Sequence, residues 1–461
     1  MKDIAVVICN YNKKEYVIKC IESLQKQIVR NFDIYVVDNA SSDGSVGEIQ
    51  RTYGDAVTLL CNTENLGGSG GFNTGMRVAY DSGYKYIVLL DNDVVLDKNA
   101  LRIMCEDMKN NPHIGIMGAK ILKMDYPDII QEFAPTVNYS TMTFELNHGG
   151  EKDTGELPHF VDCDYVPACA LIVKCEVIEK IGYMSEENFI YYDDIEWGVR
   201  CHRAGYRVVA NSKATVWHKG GARVNPTTFG TYYLNRNKLR FFMTYMQTDT
   251  PKYVEKEKID TRVENILNDI YEGIYSCEYH GMLNVAKTRM DAFLDALNMI
   301  SGKAMPLEIR AREDMDDKFD KEIIQAESIR IYMNGYFENT RRILNYIHIL
   351  EEETGVKKRI EIIGDGKNSN YELLGIQIKQ DIDKPNEDYD LVLYVCKHIY
   401  ELELDSVDRK WIDGWRNIIF DDSDFENYKG YMHSYHVFKI AFEDRVREVM
   451  KKLNGDYSYD V

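Results

Sequence analysis

Asp91 and Asp93 stand one residue apart in "YIVLLDNDVVLD" (Tyr86–Asp97), directly after an apolar run with the look of a buried strand. Two carboxylates this close repel unless a cation or solvent compensates them. With Asn92 between them they offer hard oxygen ligands, which suit Mg²⁺ or Mn²⁺ bridging to phosphate oxygens. Taken alone, an Asp-x-Asp step is also a solvated turn capping the helix that follows Lys98. His218 ends the strand pattern "ATVWHKGG" and is followed by glycine. It is either a third metal ligand or a structural histidine. Cys163, Cys169 and Cys175 are evenly spaced but sit among apolar residues without a Cys-x-x-Cys pair, so burial in strands is favoured over zinc.

Two further segments could hold an anionic ligand. "NTENLGGSGGFNTG" (Asn62–Gly75) is rich in glycine, which lets a backbone approach a ligand closely, and a helix N-terminus beyond it would favour anions. It lacks the Lys-Ser/Thr of a phosphate-binding P-loop. Asp38 and Asn39 end another strand pattern in "VVDNASSDGS", an acceptor and donor pair suited to the edge of a base. In "NFIYYDDIEWGVRCHRAGYRVV", Asp193 and Glu196 have the spacing of a capping box. That places Asp194 at the first helical position, free for other work. Gly205 would stop this helix.

The elements that must position these groups read as parallel α/β architecture. Strands are expected at Ile4–Cys9, Phe32–Val37, Val57–Cys61, Tyr86–Leu90 and Ile114–Ala119, with helices at Lys14–Gln25, Phe72–Tyr80 and Ala100–Lys109. Ligands of such sheets collect at the strands' carboxyl ends, here Asn10, Asp38-Asn39, Asn62–Gly71 and Asp91–Asp93. Loops and hairpins follow between Met124 and His159. A helix over Thr228–Met246 carries aromatics with Arg236, Lys238 and Arg240, and Arg223 lies nearby. That helix fits either packing with solvated charges, or contact with an anionic membrane surface or a phosphorylated acceptor. Around 311–321 the chain becomes strongly charged, as in a linker, and a second α/β pattern begins at Ser328.

Composition sets wider bounds. The 461 residues suffice for two or three cores, and 44% hydrophobic with 28% charged residues is ordinary for a globular chain. A formal charge of −19 argues against general nucleic-acid binding, though not against one nucleotide in a local pocket. No targeting or membrane-spanning segment is expected, and the ten scattered cysteines fit a reducing compartment.

The motifs "VVICNYN", "VVDNASSDGS", "NLGGSGGFNTG", "LLDNDVVLD", "FIYYDDIEWGVRCHRAGY" and "VWHKGG" resemble, in this order, family 2 glycosyltransferases of the GT-A fold. "YYLNRNKLRFF" is similar to the rhamnosyltransferase and galactofuranosyltransferase branch, and the resemblance covers about residues 1–305. It implies an α/β GT-A nucleotide-diphospho-sugar transferase domain over 1–225 and a helical extension over 226–312, while the second α/β pattern, which matches none of these motifs, is expected to form a C-terminal α/β domain of unknown role over 320–461. It further implies that Asp93 binds Mn²⁺ or Mg²⁺ directly, that His218 completes the metal site, and that Asp91 lies near the ribose and the metal's waters. Asp38, Asn39 and Asn65 would hold the nucleotide, with Asn10 and Gly68 lining its pocket. Asp194 would be the general base, or Asp193 if the cap is assigned wrongly, and Tyr191, Tyr192 and Trp197 fit either a wall stacking on the sugar or core packing. The implied reaction inverts a sugar's anomeric centre, moving rhamnose or galactofuranose from a UDP or dTDP donor to a glycan or lipid-linked acceptor. It would proceed in the cytoplasm, at the inner face of the membrane, with no nucleic acid involved. Competing classes are a sugar nucleotidyltransferase, disfavoured because "CNYNKKEY" is no glycine- and arginine-rich phosphate loop, and a non-catalytic glycan-binding scaffold. For the C-terminal domain, homo-oligomer formation and acceptor positioning are the expectations.

Overall fold

The computed structural model describes residues 2–145, 147–220, 227–245, 256–279, 281–305, 307–311, 318–364, 372–380, 388–396, 410–413, 418–420 and 431–454. Arg223, Gly221, Met246 and most of the charged stretch read as a linker lie outside these described residues. The chain forms two compact units, one of Met1–Ile270, Asn284–Arg312 and Glu443–Val461, the other of Tyr271–Leu283 and Glu313–Phe442.

In the first unit β1 (Ile4–Asn10), α1 (Lys14–Gln25), β2 (Phe32–Asp38), α2 (Ser45–Tyr53), β3 (Thr58–Cys61), α3 (Gly67–Asp81) and β4 (Tyr86–Asp91) alternate. They are followed by β5 (Val94–Leu96), α4 (Ala100–Asn110), β6 (Ile114–Lys123) and β7 (Ile130–Glu132). A hairpin of β8 (Thr136–Asn138) and β9 (Thr143–Glu145) fills the stretch expected to be loose. Then come β10 (Phe160–Asp162), β11 (Ala170–Lys174), α5 (Cys175–Ile181), α6 (Asp193–Arg203) and the long β12 (Arg207–His218). Helices α7 (Phe229–Tyr245), α8 (Lys256–Tyr279) and α9 (Leu283–Leu297) follow, with the end of α8 and the first residue of α9 assigned to the second unit.

The main sheet runs β10-β12-β6-β11-β4-β1-β2-β3, with β5 added to β12 and β7 to β6. Strands β4, β1, β2 and β3 are parallel neighbours, whereas β11 runs antiparallel to both β4 and β6. Strand β1 shows why the sheet is covered on both sides. Val6 and Ile8 join one apolar cluster with Val17, Ile21 and Met104 from α1 and α4. Ala5 and Val7 join the other, with Phe72, Met76 and Trp197 from α3 and α6. A period of two with apolar residues on both faces is what a central parallel strand requires. Full burial of each such aliphatic side chain stabilises the fold by about 1.5–3 kcal/mol.

Three expectations are corrected by the fold. The glycine-rich segment is not a loop before a helix at Phe72, because α3 already begins at Gly67. A Cβ on Gly75 would lie 2.3 Å from Val7 Cγ1, and one on Gly71 2.4 Å from Cys9 Sγ, so these glycines let α3 pack tightly on β1. The capping box does not form either: Tyr192, not Asp193, is the N-cap, with no side-chain cap bond. Finally, α7 offers no cationic face to a membrane through the expected residues. Arg236 is wholly buried, as are Phe241 and Phe242, Lys238 binds Asp269 at 2.6 Å, and Arg240 pairs with Glu187.

The second unit is a smaller α/β layer. It comprises α10 (Lys318–Gln325), β13 (Ser328–Tyr332), α11 (Phe337–Thr354), β14 (Arg359–Gly364), β15 (Glu372–Leu373), β16 (Ile376–Gln380), β17 (Leu391–Cys396), β18 (Lys410–Asp413), β19 (Ile418–Phe420) and α12 (Tyr431–Asn454), whose last turns belong to the first unit. Its strand order is β15-β16-β14-β13-β17-β18-β19, with β16, β14, β13, β17 and β18 parallel. Ile329 and Ile331 of β13 pack with Ile343, Leu344 and Ile347 of α11.

Candidate functional site

Strand register builds the site before any side chain is considered. Asn10 pairs with Asp38 across β1 and β2, and Cys9 with Asp91 across β1 and β4, so their polar ends share one rim. Strand β5, which starts right after Asp93, pairs antiparallel with the end of β12, setting Val94 opposite His218. The Lys219 amide also donates to the Asp93 carbonyl at 3.1 Å. A histidine far away in sequence is thereby delivered beside the two aspartates. One ligand atom each from Asp91, Asp93 and His218 lie within 4.8 Å of one another. Two carboxylates and an imidazole are a donor set that fits Mn²⁺ or Mg²⁺.

Charge compensation within this cluster is uneven. His218 Nε2 is 3.2 Å from Asp93 Oδ1 and 3.8 Å from Asp91 Oδ2, while Lys13 Nζ is 2.6 Å from Asp93 Oδ2. Burial alone would raise the Asp93 carboxyl, but the His218 hydrogen bond and the His218 and Lys13 charges outweigh it and hold it below the ordinary range. Asp91 is half-buried and lacks such bonds, so desolvation by the surrounding protein pushes it up to about 6, with His218 opposing and Asp93's charge adding. The His218 imidazole ends up raised: burial works against protonation, and the two aspartates overcome it. The Gln131 side-chain amide lies 3.0 Å from His218 Nδ1 and orients the ring.

The expected nucleotide residues are joined in a network. Asn10 Nδ2 donates to Asp38 Oδ1 at 3.0 Å, and Asn92 Nδ2 donates to Asn10 Oδ1 at 2.9 Å. Asp38 Oδ2 accepts the Ser41 amide at 2.8 Å. Asn39 is turned inward: its amide donates to Asn65 Oδ1 and the Gly67 carbonyl, and its oxygen accepts from Asn62 and the Leu66 amide. Asn39 and Asn65 therefore shape the entry into α3. Gly67 sits at φ +77°, and a Cβ there would fall 1.9 Å from the Phe189 carbonyl oxygen. Gly68 faces the opposite bank, where a Cβ would be 3.6 Å from Asp193 Oδ2.

Asp193 and Asp194 begin α6, reached through a strained turn. Phe189, Tyr191 and Tyr192 have φ of 64°, 64° and 68°, and each L-residue held there costs about 1–2 kcal/mol. Asp194 is not free of backbone duty: its Oδ2 accepts the Ala168 amide at 3.1 Å and its Oδ1 the Ile195 amide at 2.8 Å. Burial raises its pKa, and those two amides oppose the rise. Asp193 is driven well above the ordinary range, by burial first and by Asp194's charge second. Asp194 is thus the member of the pair better held as an anion. Trp197 belongs to the core, its Nε1 donating to the Gly182 carbonyl at 2.9 Å, and Tyr192 is buried; Tyr191 alone of the expected sugar wall is exposed.

Three residues at this rim were not singled out by the sequence. Lys13 is adjacent to a recognised motif. Gln131 and Glu132 fall in the irregular stretch after β6, where no periodicity marks them. Glu132 is raised to about 7 by burial and by Asp194's charge, with the Tyr165 hydroxyl and His218 opposing.

An open α/β sheet with two aspartates and a histidine that could hold a metal ion at its strands' carboxyl ends is a GT-A-type fold. Residues 5–169 match the model of Glycosyl transferase family 2: this part of the chain is a family 2 glycosyltransferase domain. Among curated relatives, the chain is 24% identical over 212 residues to the low-salt glycan biosynthesis hexosyltransferase Agl10 of Haloferax volcanii, covering 45% of this chain and 64% of that one. It is 25% identical over 206 residues to the galactofuranosyltransferase GlfT2 of Mycolicibacterium smegmatis, covering 40% and 31%. The matches thus span under two thirds of either relative's length. Among solved structures, residues 1–349 of Staphylococcus aureus TarS align at 14% identity with a TM-score of 0.42, over 77% of this chain and 92% of that one.

Proposed function

We propose that the chain is a metal-dependent, inverting glycosyltransferase that moves a sugar from a nucleoside-diphosphate donor to a hydroxyl of a glycan or lipid-linked acceptor. The observation that carries this is the convergence of Asp91, Asp93 and His218 across the rim from the Asp193–Asp194 pair, within a family 2 domain. A divalent ion held by that triad would neutralise the diphosphate leaving group. Asn10 and Asp38 line the nucleotide end of the rim, and Gly68 leaves the donor's approach open. Asp194, positioned by two backbone amides, accepts the proton of the attacking hydroxyl. One base and one leaving group on opposite sides of the anomeric carbon give direct displacement with inversion. Asp193, whose pKa burial raises, stands beside Gly68 on the donor's side. The relatives' names favour a hexosyl donor such as galactofuranose, and the motif resemblance adds rhamnose, with UDP or dTDP as the carrier. A setting at the inner face of the membrane, the domain limits 1–225, 226–312 and 320–461, and a homo-oligomer belong to the same proposal.

A panel of nucleotide sugars assayed with Mn²⁺ tests it. Asp93→Ala should abolish metal-dependent turnover of whichever donor reacts, and undiminished turnover would sink the metal site. Asp194→Asn should bind the donor normally and lose at least about a hundredfold in transfer, in line with the usual contribution of a general base. Full activity would refute that role.

A further inference from the structure

We propose that Arg236 and Asn237 are positioning residues for the Asp193–Asp194 pair, locking the turn at 187–192 whose end carries both carboxylates. The inference rests on Asp194 acting as the base. The turn contains three L-residues in left-handed backbone, at Phe189, Tyr191 and Tyr192, a conformation a free chain would leave. Its carbonyls are gathered by one side chain. Asn237 Nδ2 donates to the carbonyls of Asn188, Ile190 and Tyr191 at 2.8, 2.8 and 3.1 Å. The amide's orientation is fixed because its Oδ1 accepts from Arg236 Nε at 3.0 Å. The guanidinium then donates to the carbonyls of Gly302 at 2.8 Å, Asn188 at 3.2 Å and Glu187 at 3.3 Å. It also lies over the Tyr233 and Tyr232 rings, at 4.9 and 5.4 Å from their centroids.

Both residues are wholly buried, so neither can touch a substrate or a membrane. What remains is the turn they hold. From the other side it is held by α3, where the Ser69 hydroxyl donates to the Phe189 carbonyl at 3.3 Å, and Asn73 Nδ2 anchors the chain just before the turn through the Met184 carbonyl at 2.9 Å. On the reading above, α3 reaches the donor through Gly68, and α7 supplies none of the donor residues. Loosening only the α7 side should therefore shift Asp194 from the acceptor hydroxyl while leaving the donor's nucleotide in place. Sub-ångström placement matters for such a group, since small displacements of a reacting atom lower rates steeply.

The test uses the full chain with Asn237→Asp, which keeps size but turns three donations into repulsions, and Arg236→Lys, which keeps charge but loses the bond that orients the amide. Titration with Mn²⁺ and UDP (or dTDP, whichever the donor panel selects) should give affinities within about threefold of wild type. Transfer kcat should fall at least tenfold for Asn237→Asp and less for Arg236→Lys, with a displaced acid limb in the kcat–pH profile. Should Asn237→Asp fail to fold, Arg236→Lys carries the same readouts. Wild-type kcat in a folded variant overturns the inference. So does parallel loss of nucleotide affinity and kcat with an unmoved pH profile, the mark of a structural role alone. Asp194→Asn run alongside separates the two ideas: if it stays active the base assignment fails, whereas an inactive Asp194→Asn beside fully active Arg236→Lys and Asn237→Asp removes only the positioning role.

Discussion

Asp91 and Asp93 are neighbours shifted in opposite directions, because His218 and Lys13 hydrogen-bond to Asp93 and only approach Asp91. Asp93 is bound by His218 and Lys13 and stays ionised well into acid, whereas burial lifts Asp91 to about 6. His218 is raised from its usual value by the same two aspartates. A metal ion needs Asp91 deprotonated and the histidine neutral, so it displaces protons from both. The sign follows directly. Below about pH 6 both groups are protonated in the metal-free protein, and affinity must climb as pH rises through their titrations. We predict that Mn²⁺ binds about tenfold more tightly per pH unit for each proton displaced, checked by calorimetry or electron paramagnetic resonance at pH 5.5, 6.5 and 7.5. A flat profile would show that these groups are not ligands. Asp93, ionised throughout, contributes little to that slope, so Asp93→Ala should weaken binding at every pH rather than change its dependence.

The elements holding these residues differ in how far the sequence disclosed them. Strands β1, β2 and β4 were legible because apolar residues face both layers and polar residues appear where each strand ends. Asp91, Asp93 and His218 were legible with them, as acids and an imidazole placed directly after strands. Helix α3 was misjudged, because five glycines read as a loop when several instead permit close packing. The capping box failed since Tyr192, in left-handed backbone, takes the N-cap and leaves Asp193 inside the helix. Gln131, Arg236 and Asn237 gave no signal, because their meaning lies in contacts to residues distant in sequence. The tight packing of α3 is itself testable. Replacing Gly75 by alanine should gain about 1 kcal/mol of helix propensity. The new Cβ, however, would sit 2.3 Å from Val7 Cγ1 and 3.0 Å from Val37 Cγ2. Branched side chains fixed in a sheet cannot turn aside, so overpacking of about 1–3 kcal/mol should prevail. We predict a net loss of stability in denaturant melts of Gly75→Ala; an equal or higher midpoint would mean that α3 shifts freely on the sheet.

At the scale of the whole molecule, charge is the property that reaches furthest. The chain carries 75 acidic against 56 basic residues, a formal −19, and among the described residues no helix is long and apolar enough to cross a membrane. A nucleoside-diphosphate donor is also an anion, so the long-range field opposes its approach. That field extends about 30 Å at 0.01 M salt and about 8 Å at 0.15 M. Inside the rim the interactions are short and partly buried, as with Lys13 against Asp93, and salt screens them far less. Two effects of opposite sign therefore separate by distance. Added salt relieves the repulsion during approach but barely weakens the grip after arrival. We predict that donor kcat/KM rises about two- to threefold between 0.01 and 0.15 M NaCl at fixed divalent ion, with kcat nearly unchanged. Steady-state kinetics on the full chain would decide it. A steep fall with salt would instead reveal a locally positive funnel at the donor rim, strong enough to overcome the molecule's net charge.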